Sequence, residues 1–160
     1  ALRSRLGVRN SAHSLVKMLD PFHGEALLVA AATHPAFIDL MRDMLLAETL
    51  PSLLMRGTEG EPFANPKRRP RIEYLHDGLS EQLFDAEHDS LKSLPNLPES
   101  NDAVSTAKWT RRVLDGQLPL PIPIANQLAC CLVASGYAEG LYQAKAVVAV
   151  ETNGRSSAAA

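Results

Sequence analysis

The sequence predicts an α/β fold with a largely parallel sheet flanked by helices. Three observations support this class. Short continuous apolar runs bounded by glycine or proline are typical of buried strands. Segments with an apolar repeat every three or four residues indicate helices. The two kinds of segment alternate along the chain, as in strand–helix–strand units that build parallel sheets.

The first strand and the first long helix are predicted between residues 26 and 45. Ala26 to Ala32 is an apolar run bounded by Gly24 and by His34-Pro35, and it indicates a buried strand. Pro35 suits the first position of a helix. The helix that follows places its apolar residues on one face: Phe37, Leu40, Met41, Met44 and Leu45. A short helix capped at Asn10 or Ser11 is expected before this unit.

The stretch from Leu53 to Gly78, LLMRGTEGEPFANPKRRPRIEYLHDG, is the predicted centre of the protein's chemistry. A strand from Pro51 to Met55 ends in a polar, glycine-containing loop, and an extended segment from Arg71 to Leu75 ends at the turn Asp77-Gly78. Open α/β proteins bind their ligands at the ends of such strands. We therefore expect the functional site in this loop.

The remainder of the chain is predicted to be helical after a surface excursion over residues 80–100. A helix capped by Asn101 or Asp102 should present a stripe of Ala103, Ala107 and Leu114 and end at Gly116. Leu118 to Pro123 is expected to be extended. Two apolar helices follow, from Ile124 to Ser135 and from Glu139 to Val150, with Gly136 between them.

Composition indicates a soluble, cytoplasmic globular domain. The 160 residues carry a net charge of −2, so any affinity for nucleic acid must come from a local patch. The two cysteines, Cys130 and Cys131, are adjacent in an apolar helix, which favours reduced, buried thiols. No run reaches the roughly 20 apolar residues of a membrane span, so no membrane association is expected. The sequence opens in charged residues without methionine, and we expect an amino-terminal part to be missing.

One dense basic cluster supplies such a patch: Lys67, Arg68, Arg69 and Arg71. Flanking prolines stiffen the loop, and several cations at a ligand-binding edge can neutralise the phosphates of single-stranded DNA or RNA. The cluster contains no aromatic residue, so base stacking would depend on Tyr74. The alternative is an ordinary solvated charged face.

Several motifs resemble the anthranilate phosphoribosyltransferases of glycosyl transferase family 3, in particular their divergent nucleic-acid-binding branch. LGVRNSAHSLVKMLDPF at residues 6–22 resembles that family's LGxRTxFNxLGPLxNP segment, RGTEGEPFAN its HGxDGxDE segment, and IANQLACCLVASGYAEGLYQA its carboxy-terminal NAAxxL helix pair. The resemblance implies a nucleoside phosphorylase/phosphoribosyltransferase-like α/β domain, of which residues 1–160 form the carboxy-terminal portion. It also implies an amino-terminal helical domain and a glycine-rich pyrophosphate loop upstream, and a homodimer for the full-length protein.

The same resemblance assigns candidate substrate-binding residues. Arg9 matches the family arginine that meets the carboxylate of the aromatic substrate, and a guanidinium pairs with a carboxylate through two parallel hydrogen bonds. A surface arginine paired with an acidic neighbour is the alternative. Asn10 and His13 belong to the same segment but replace the family's threonine and asparagine, so they put specificity for anthranilate in doubt.

The magnesium site implied by the family departs further from the pattern. Glu59 takes the place of the first aspartate, but Pro62 and Phe63 stand where the paired Asp-Glu would bind Mg²⁺. Mg²⁺ requires oxygen ligands, which neither side chain offers. Glu61 could serve after a shift of one residue; otherwise both glutamates are solvated loop charges.

These features lead to two main hypotheses. The first is a phosphoribosyltransferase-like scaffold with a degenerate metal site that binds nucleic acid through its basic loop. The second is an active Mg²⁺-dependent phosphoribosyltransferase, which moves phosphoribose from phosphoribosyl pyrophosphate to an aromatic or heterocyclic acceptor. In the second case we expect residues 1–160 alone to be inactive, because the pyrophosphate loop lies outside them. A purely structural domain is the third hypothesis.

Overall fold

The computed structural model describes residues 16–20, 22, 25–48, 50–58, 61–90, 97–98 and 100–153. Within these residues a four-stranded sheet carries helices on both faces, which confirms the predicted α/β class. The strands, in sheet order, are β1 (Leu28–Ala32), β2 (Ser52–Arg56), β3 (Ile72–His76) and β4 (Leu79–Phe84). The helices are α1 (Pro35–Ala47), α2 (Ala103–Leu114), α3 (Ile122–Ala134) and α4 (Leu141–Asn153), with a 3₁₀ turn at Val16–Met18.

The unit β1–α1–β2 has the predicted strand–helix–strand arrangement. β1 and β2 are parallel, with Ala30 opposite Leu54. α1 begins at Pro35 because proline fixes a helical φ angle and needs no hydrogen-bond acceptor for its nitrogen there. His34 caps the helix, since its ring nitrogen accepts a hydrogen bond from the Ala36 amide at 3.3 Å. The prediction of this unit is confirmed, with strand limits shifted by one or two residues.

The sheet is mixed rather than largely parallel. β2 pairs with β3, and β3 with β4, in antiparallel fashion. A parallel partner for β2 would need a crossover of a dozen or more residues, usually a helix. The described residues between β2 and β3 contain no helix. The chain instead turns back, so that β3 runs antiparallel beside β2. The expectation of a largely parallel sheet is therefore wrong for this half of the sheet.

β4 was not predicted, because residues 80–100 were expected to form a surface excursion. Asp77 and Gly78 have φ values of 50° and 71°, the positive values required at both central positions of a two-residue type I′ hairpin turn. This turn pairs β3 with residues 79–84. β4 is exposed over most of its length, so its sequence lacks the apolar alternation of a half-buried strand. Residues 85–90 do form an exposed segment without regular structure, as expected.

The core lies on both faces of the sheet, because alternate residues of a strand point to opposite sides. On one face Ala30, Leu54 and Leu75 pack against Met41 and Leu45 of α1. On the other face a second cluster joins the sheet to α3: Ala31, Leu53, Met55, Ile72, Cys130 and Ala134. The central strand β2 is thus buried from both sides, which explains its unbroken apolar sequence.

The last three helices follow the predicted order. Asp102, one of the two proposed caps, accepts hydrogen bonds from the amides of Val104 and Ser105 at 2.9 Å. The predicted stripe of Ala103, Ala107 and Leu114 is exposed, and Val113 is the buried residue of α2. The periodicity of a helix with so few apolar residues did not fix which face turns inward.

Helices α3 and α4 pack through small side chains. Ala129, Ala138, Ala144 and Val148 form their shared core, and alanines allow the two backbones to approach closely. Gly136, with φ of 73°, ends α3 and lets the chain turn towards α4. The predicted pair of apolar helices separated by Gly136 is confirmed, but α3 already begins at Ile122, so the expectation of an extended segment from Leu118 to Pro123 is wrong for Ile122 and Pro123, since proline is tolerated in the first turn of a helix.

Cys130 and Cys131 are free thiols on α3, as predicted. Burial raises the pKa of Cys130 to about 12, an effect that the nearby charge of Cys131 strengthens and that Lys145 and Arg69 oppose. Burial also raises the pKa of Cys131. Among the described helices, none is long and apolar enough to cross a bilayer.

Candidate functional site

A cleft of about 610 Å³ opens at the carboxyl ends of β1 and β2, on the face of the sheet that carries α1. Its walls come from the residues after these strands, from α1 and from the basic loop, defined as residues 66–71. We call it the arginine cleft. Its lining includes Thr33, Arg42, Arg56, Gly57, Thr58, Asn65, Arg68, Arg69, Arg71, Glu73, Glu87 and His88.

The arginine cleft is positively charged although the chain is not. Among the described residues, five arginines and two glutamates line it, so these side chains carry a surplus of three positive charges when the histidine is neutral. The whole chain has a net charge of −2. A concave wall with one sign of charge concentrates the electrostatic field and attracts ligands of the opposite sign. The arrangement therefore favours an anion.

Glu73 lies at the floor of the cleft and organises two of its arginines. Its carboxylate accepts hydrogen bonds from Arg42 Nε at 2.7 Å and Arg42 Nη2 at 2.9 Å, and it pairs with Arg71 Nε at 3.1 Å. The Ser80 hydroxyl donates a further hydrogen bond, at 3.1 Å. Only 3% of the Glu73 side chain is exposed. A carboxylate in this position keeps its charge only because cations and donors surround it.

The pKa of Glu73 reflects this competition. Burial acts to raise the pKa of the carboxyl group, but the hydrogen bond and charge of Arg42, the charge of Arg71 and the Ser80 hydroxyl together bring it below its usual value. Conversely, hydrogen bonds to Glu73 and Asp39 raise the pKa of Arg42. The Glu73 side chain is therefore ionised at neutral pH, and the Arg42 side chain is fixed by two carboxylates.

Arg69 is held by residues that follow β4. Its backbone amide donates to Glu87 at 2.9 Å, its Nε donates to the Asp85 carbonyl at 3.1 Å, and its guanidinium lies 3.6 Å from Glu87. The same guanidinium stands 4.9 Å from the centre of the Phe84 ring. The basic loop is therefore attached to the end of β4.

Among the described residues, Arg56 and Arg68 are the cleft arginines without an ion pair, and we call them the uncompensated cations. Neither side chain forms an ion pair within the described part of the chain, whereas Arg42, Arg69 and Arg71 each have a carboxylate partner. Arg56 is exposed at the end of β2, and Arg68 is half-buried in the basic loop. These two guanidinium groups have the most donors available for a ligand.

The loop between β2 and the basic loop is held close to the sheet. A Cβ atom on Gly57 would lie 2.4 Å from the Glu61 carbonyl oxygen and 2.8 Å from Ala31 Cβ, so only glycine fits there. Further along, the buried side chain of Gln127 on α3 accepts from the Ala64 amide at 2.7 Å and donates to the Pro62 carbonyl at 2.8 Å. These contacts fix the approach to the basic loop.

Of the predicted nucleic-acid contacts, Arg68, Arg69 and Arg71 line one cleft, and Lys67 is exposed beside them. Arg9, Asn10, His13 and Glu59 lie outside the described residues. Their roles stay predictions.

Glu61 is the described member of the predicted magnesium site. It is exposed, and within the described ranges no group of three or more acidic, histidine or cysteine side chains could hold a metal ion. Mg²⁺ bound to protein needs one or two carboxylates aimed at a common point. Glu59, the other carboxylate proposed for the ion, lies outside the described residues, so the magnesium site stays a prediction.

Arg42, Arg56, Glu73 and Gln127 were not predicted as functional residues, although Arg56 and Glu73 lie in the stretch from Leu53 to Gly78 where the site was expected. Arg56 carried a signal, since it directly follows a buried strand at the edge where ligands bind. Glu73 also carried one, because an acidic residue interrupts an apolar strand. Arg42 on α1 and Gln127 on α3 reach the region only through tertiary packing, and their local sequence gives no sign of it.

A second cleft, of about 990 Å³, lies near the opposite ends of β1 and β2. It is larger, but its described lining contains Asp20, Glu25 and Glu48 and no lysine or arginine. It therefore lacks the charge that makes the arginine cleft a candidate anion site.

The fold and the cleft define an α/β protein with a mixed sheet and a candidate anion-binding cleft at the carboxyl ends of its parallel strands. The chain is similar to the "Uncharacterized protein YbiB" of Escherichia coli (strain K12), with 41% identity over 139 residues. The match covers 86% of this chain but only 43% of that protein, so the chain spans less than half of its relative's length. No family model matches the sequence.

Proposed function

We propose that the protein binds the phosphates of nucleic acid in the arginine cleft and along the basic loop. The observation that carries this proposal is the surplus of positive charge in a cleft of a chain whose net charge is negative. Within the cleft, Arg56 and Arg68 have no carboxylate partner among the described residues. Guanidinium groups pair well with phosphate oxygens because their planar donors match them.

The scaffold proposed for this function is the carboxy-terminal part of an anthranilate phosphoribosyltransferase-like domain, related in fold to the nucleoside phosphorylases. The strand–helix–strand unit and the ligand-edge position of RGTEGEPFAN support it. A homodimer of the full-length protein belongs to the same proposal.

An active phosphoribosyltransferase is the second candidate function. The position of the cleft favours it, because α/β enzymes bind phosphorylated ligands at the ends of parallel strands. The loop chemistry opposes it, since Pro62 and Phe63 offer no side-chain oxygen and Glu61 has no neighbouring cluster of ligands in the described part of the chain. We therefore place nucleic-acid binding first.

The test is the fluorescence anisotropy of a labelled single-stranded oligonucleotide at about 50 mM and about 200 mM salt. The variant Arg56→Ala/Arg68→Ala removes the two uncompensated cations and leaves the Glu73 and Glu87 ion pairs intact. Its affinity should fall at least tenfold, about 1.4 kcal/mol. The slope of log affinity against log salt should become shallower by about 0.7 for each phosphate that the variant no longer neutralises.

The matched control is Lys108→Ala/Arg111→Ala, which makes the same change of charge on exposed positions of α2 that do not line the cleft. If this control weakens binding as much as the cleft variant, net charge rather than the cleft explains the affinity. A wild-type protein that does not bind at low salt refutes the proposal, and acceptors should then be screened with phosphoribosyl pyrophosphate and Mg²⁺.

A further inference from the structure

Phe84 connects the basic loop to helix α4. The guanidinium of Arg69 lies 4.9 Å from the centre of its ring, and the ammonium of Lys145 lies 4.8 Å from the same point. Both distances are within the range of attraction between a cation and an aromatic ring. The positive surface of the basic loop therefore continues onto α4.

The electrostatic environment of Cys130 agrees with this placement of the two cations. The charges of Lys145 and Arg69 both act to lower the pKa of Cys130, against the larger effect of burial. Cys130 is buried on α3. The two cations therefore approach the same part of the molecule from different elements.

Tyr142 lies one helical turn before Lys145 on α4. Residues three apart in a helix are neighbours on its surface, so the tyrosine ring and the ammonium group share a face. The inner stripe of α4 is formed by other residues, Ala144 and Val148, which are buried against α3. Tyr142 is 91% exposed, the most exposed of the described large apolar side chains. Its ring has no packing function in the described structure.

The helix presents this ring from a fixed position. Gln143 accepts a hydrogen bond from the Glu139 amide at 2.9 Å, which secures the start of α4. A tyrosine on a helix has two side-chain torsions, so it offers a large flat surface at low entropic cost. An exposed aromatic ring beside cations is the arrangement with which single-strand-binding proteins stack bases.

We propose that Tyr142 is a base-stacking platform for single-stranded nucleic acid whose phosphates contact the basic loop. This inference rests on the proposed function. The nucleic-acid strand passes from Arg68 and Arg69 across the Phe84–Lys145 contact to α4. There one base unstacks from the neighbouring bases and stacks on the Tyr142 ring. Duplex bases are already paired and stacked, so they cannot use the platform. Tyr142 therefore gives the protein a preference for single strands.

The experiment compares three labelled probes of about 20 nucleotides: a thymidine oligonucleotide, an abasic oligonucleotide with the same phosphates, and a duplex. Tyr142→Ala should bind the thymidine strand roughly 5- to 150-fold more weakly, the effect of removing one ring on which a base stacks. Its affinity for the abasic strand and for the duplex should not change, and its salt slope should equal that of the wild type. Tyr142→Phe retains the ring and should restore binding.

Leu79→Ala is the control for removal of an exposed apolar side chain. Leu79 is 63% exposed at the opposite end of the sheet from the basic loop, since it follows the β3–β4 turn. An equal loss of affinity of Tyr142→Ala for thymidine and abasic strands, or no loss for either, would overturn the stacking role. If the wild type binds but Tyr142→Ala does not discriminate between the probes in this way, nucleic-acid binding by the cleft stands and the stacking role of Tyr142 is refuted. If the wild type binds no probe at low salt, both the proposed function and the stacking role are refuted.

Discussion

Glu73→Gln tests whether the buried carboxylate beneath the arginine cleft holds the sheet and α1 together. Glutamine keeps the size and one acceptor oxygen but removes the charge that faces Arg42 and Arg71. Removing one partner of a buried ion pair costs about 3–5 kcal/mol. Arg42 retains Asp39 and is 24% exposed, so we expect the lower limit, about 3 kcal/mol at neutral pH.

The pH dependence gives the sharper result. The folded-state pKa of Glu73 lies below its usual value of 4.5, so its ion pairs contribute fully above the unfolded-state pKa. This contribution is lost as the pH falls through 4.5 towards the lower pKa of the folded protein. Wild type and variant should therefore differ most near neutral pH and converge in acid, because the glutamine cannot titrate.

Urea unfolding followed by far-UV circular dichroism, at about pH 7 and about pH 3.5, measures both effects. Glu81→Gln, an exposed change on β4, should shift the free energy of unfolding by less than about 0.5 kcal/mol. An Arg42–Glu73 ion pair without energetic importance would leave the Glu73→Gln variant as stable as the wild type at pH 7. A difference of the same size at both pH values would contradict the assignment of the lowered pKa.

The remaining predictions concern α3. Gln127→Leu leaves the Ala64 amide and the Pro62 carbonyl without their hydrogen-bond partner. The free energy of unfolding, measured by the same urea titration, should therefore fall by about 2 kcal/mol. An unchanged value would show that these two groups bond to water instead. The thiols of Cys130 and Cys131 should react with a thiol reagent at about pH 8 only after unfolding, because burial raises both pKa values; rapid labelling of the folded protein would contradict this.

The first half of the fold was predictable because its signals are local. The apolar run at residues 26–32 and the proline that opens α1 act within a few residues of themselves, and the structure follows them. The same holds for the Asp102 cap and for Gly136 between the last helices. Caps, turns and continuous apolar runs are decided by sterics and hydrogen bonds between residues that are close together in the chain. A single sequence therefore contains the information needed to predict them.

The direction of β3 and the existence of β4 were not predictable by the same means. Strand direction depends on how the chain returns, and the parallel assignment came from the general alternation of strands and helices, although the segment between β2 and β3 was itself expected to be a loop. β4 has an exposed, polar sequence and is specified mainly by the turn before it. The positive φ values at Asp77 and Gly78 show that this turn closes the hairpin, so the Asp-Gly pair was a local signal for a return of the chain, although the polar residues after it gave no sign of a strand.

The position of the candidate site was predictable from the sequence, but the residues that determine its charge were not. The basic cluster at residues 67–71 does border the cleft. Its electrostatics, however, depend on Glu73 and Glu87, which neutralise part of it, and on Arg56, which adds to it. Counting charges along the sequence could not reveal which arginines are paired, because Glu87 reaches Arg69 only after the β3–β4 hairpin and Arg71 shares Glu73 with Arg42 of α1.

The ion pairs of Glu73 also affect the entropy of any association at the cleft. Arginine has many rotamers, and fixing such a side chain when a ligand binds costs roughly 0.5–1.5 kcal/mol. Arg42 and Arg71 are already restrained by the carboxylate beneath them in the unbound protein. An anion that enters therefore meets a partly rigid wall, and the disorder still to be lost lies in Arg56 and Arg68. We expect the restrained pair, Arg42 and Arg71, to determine which anions the cleft selects. We expect Arg56 and Arg68 to adjust to ligands of different shapes.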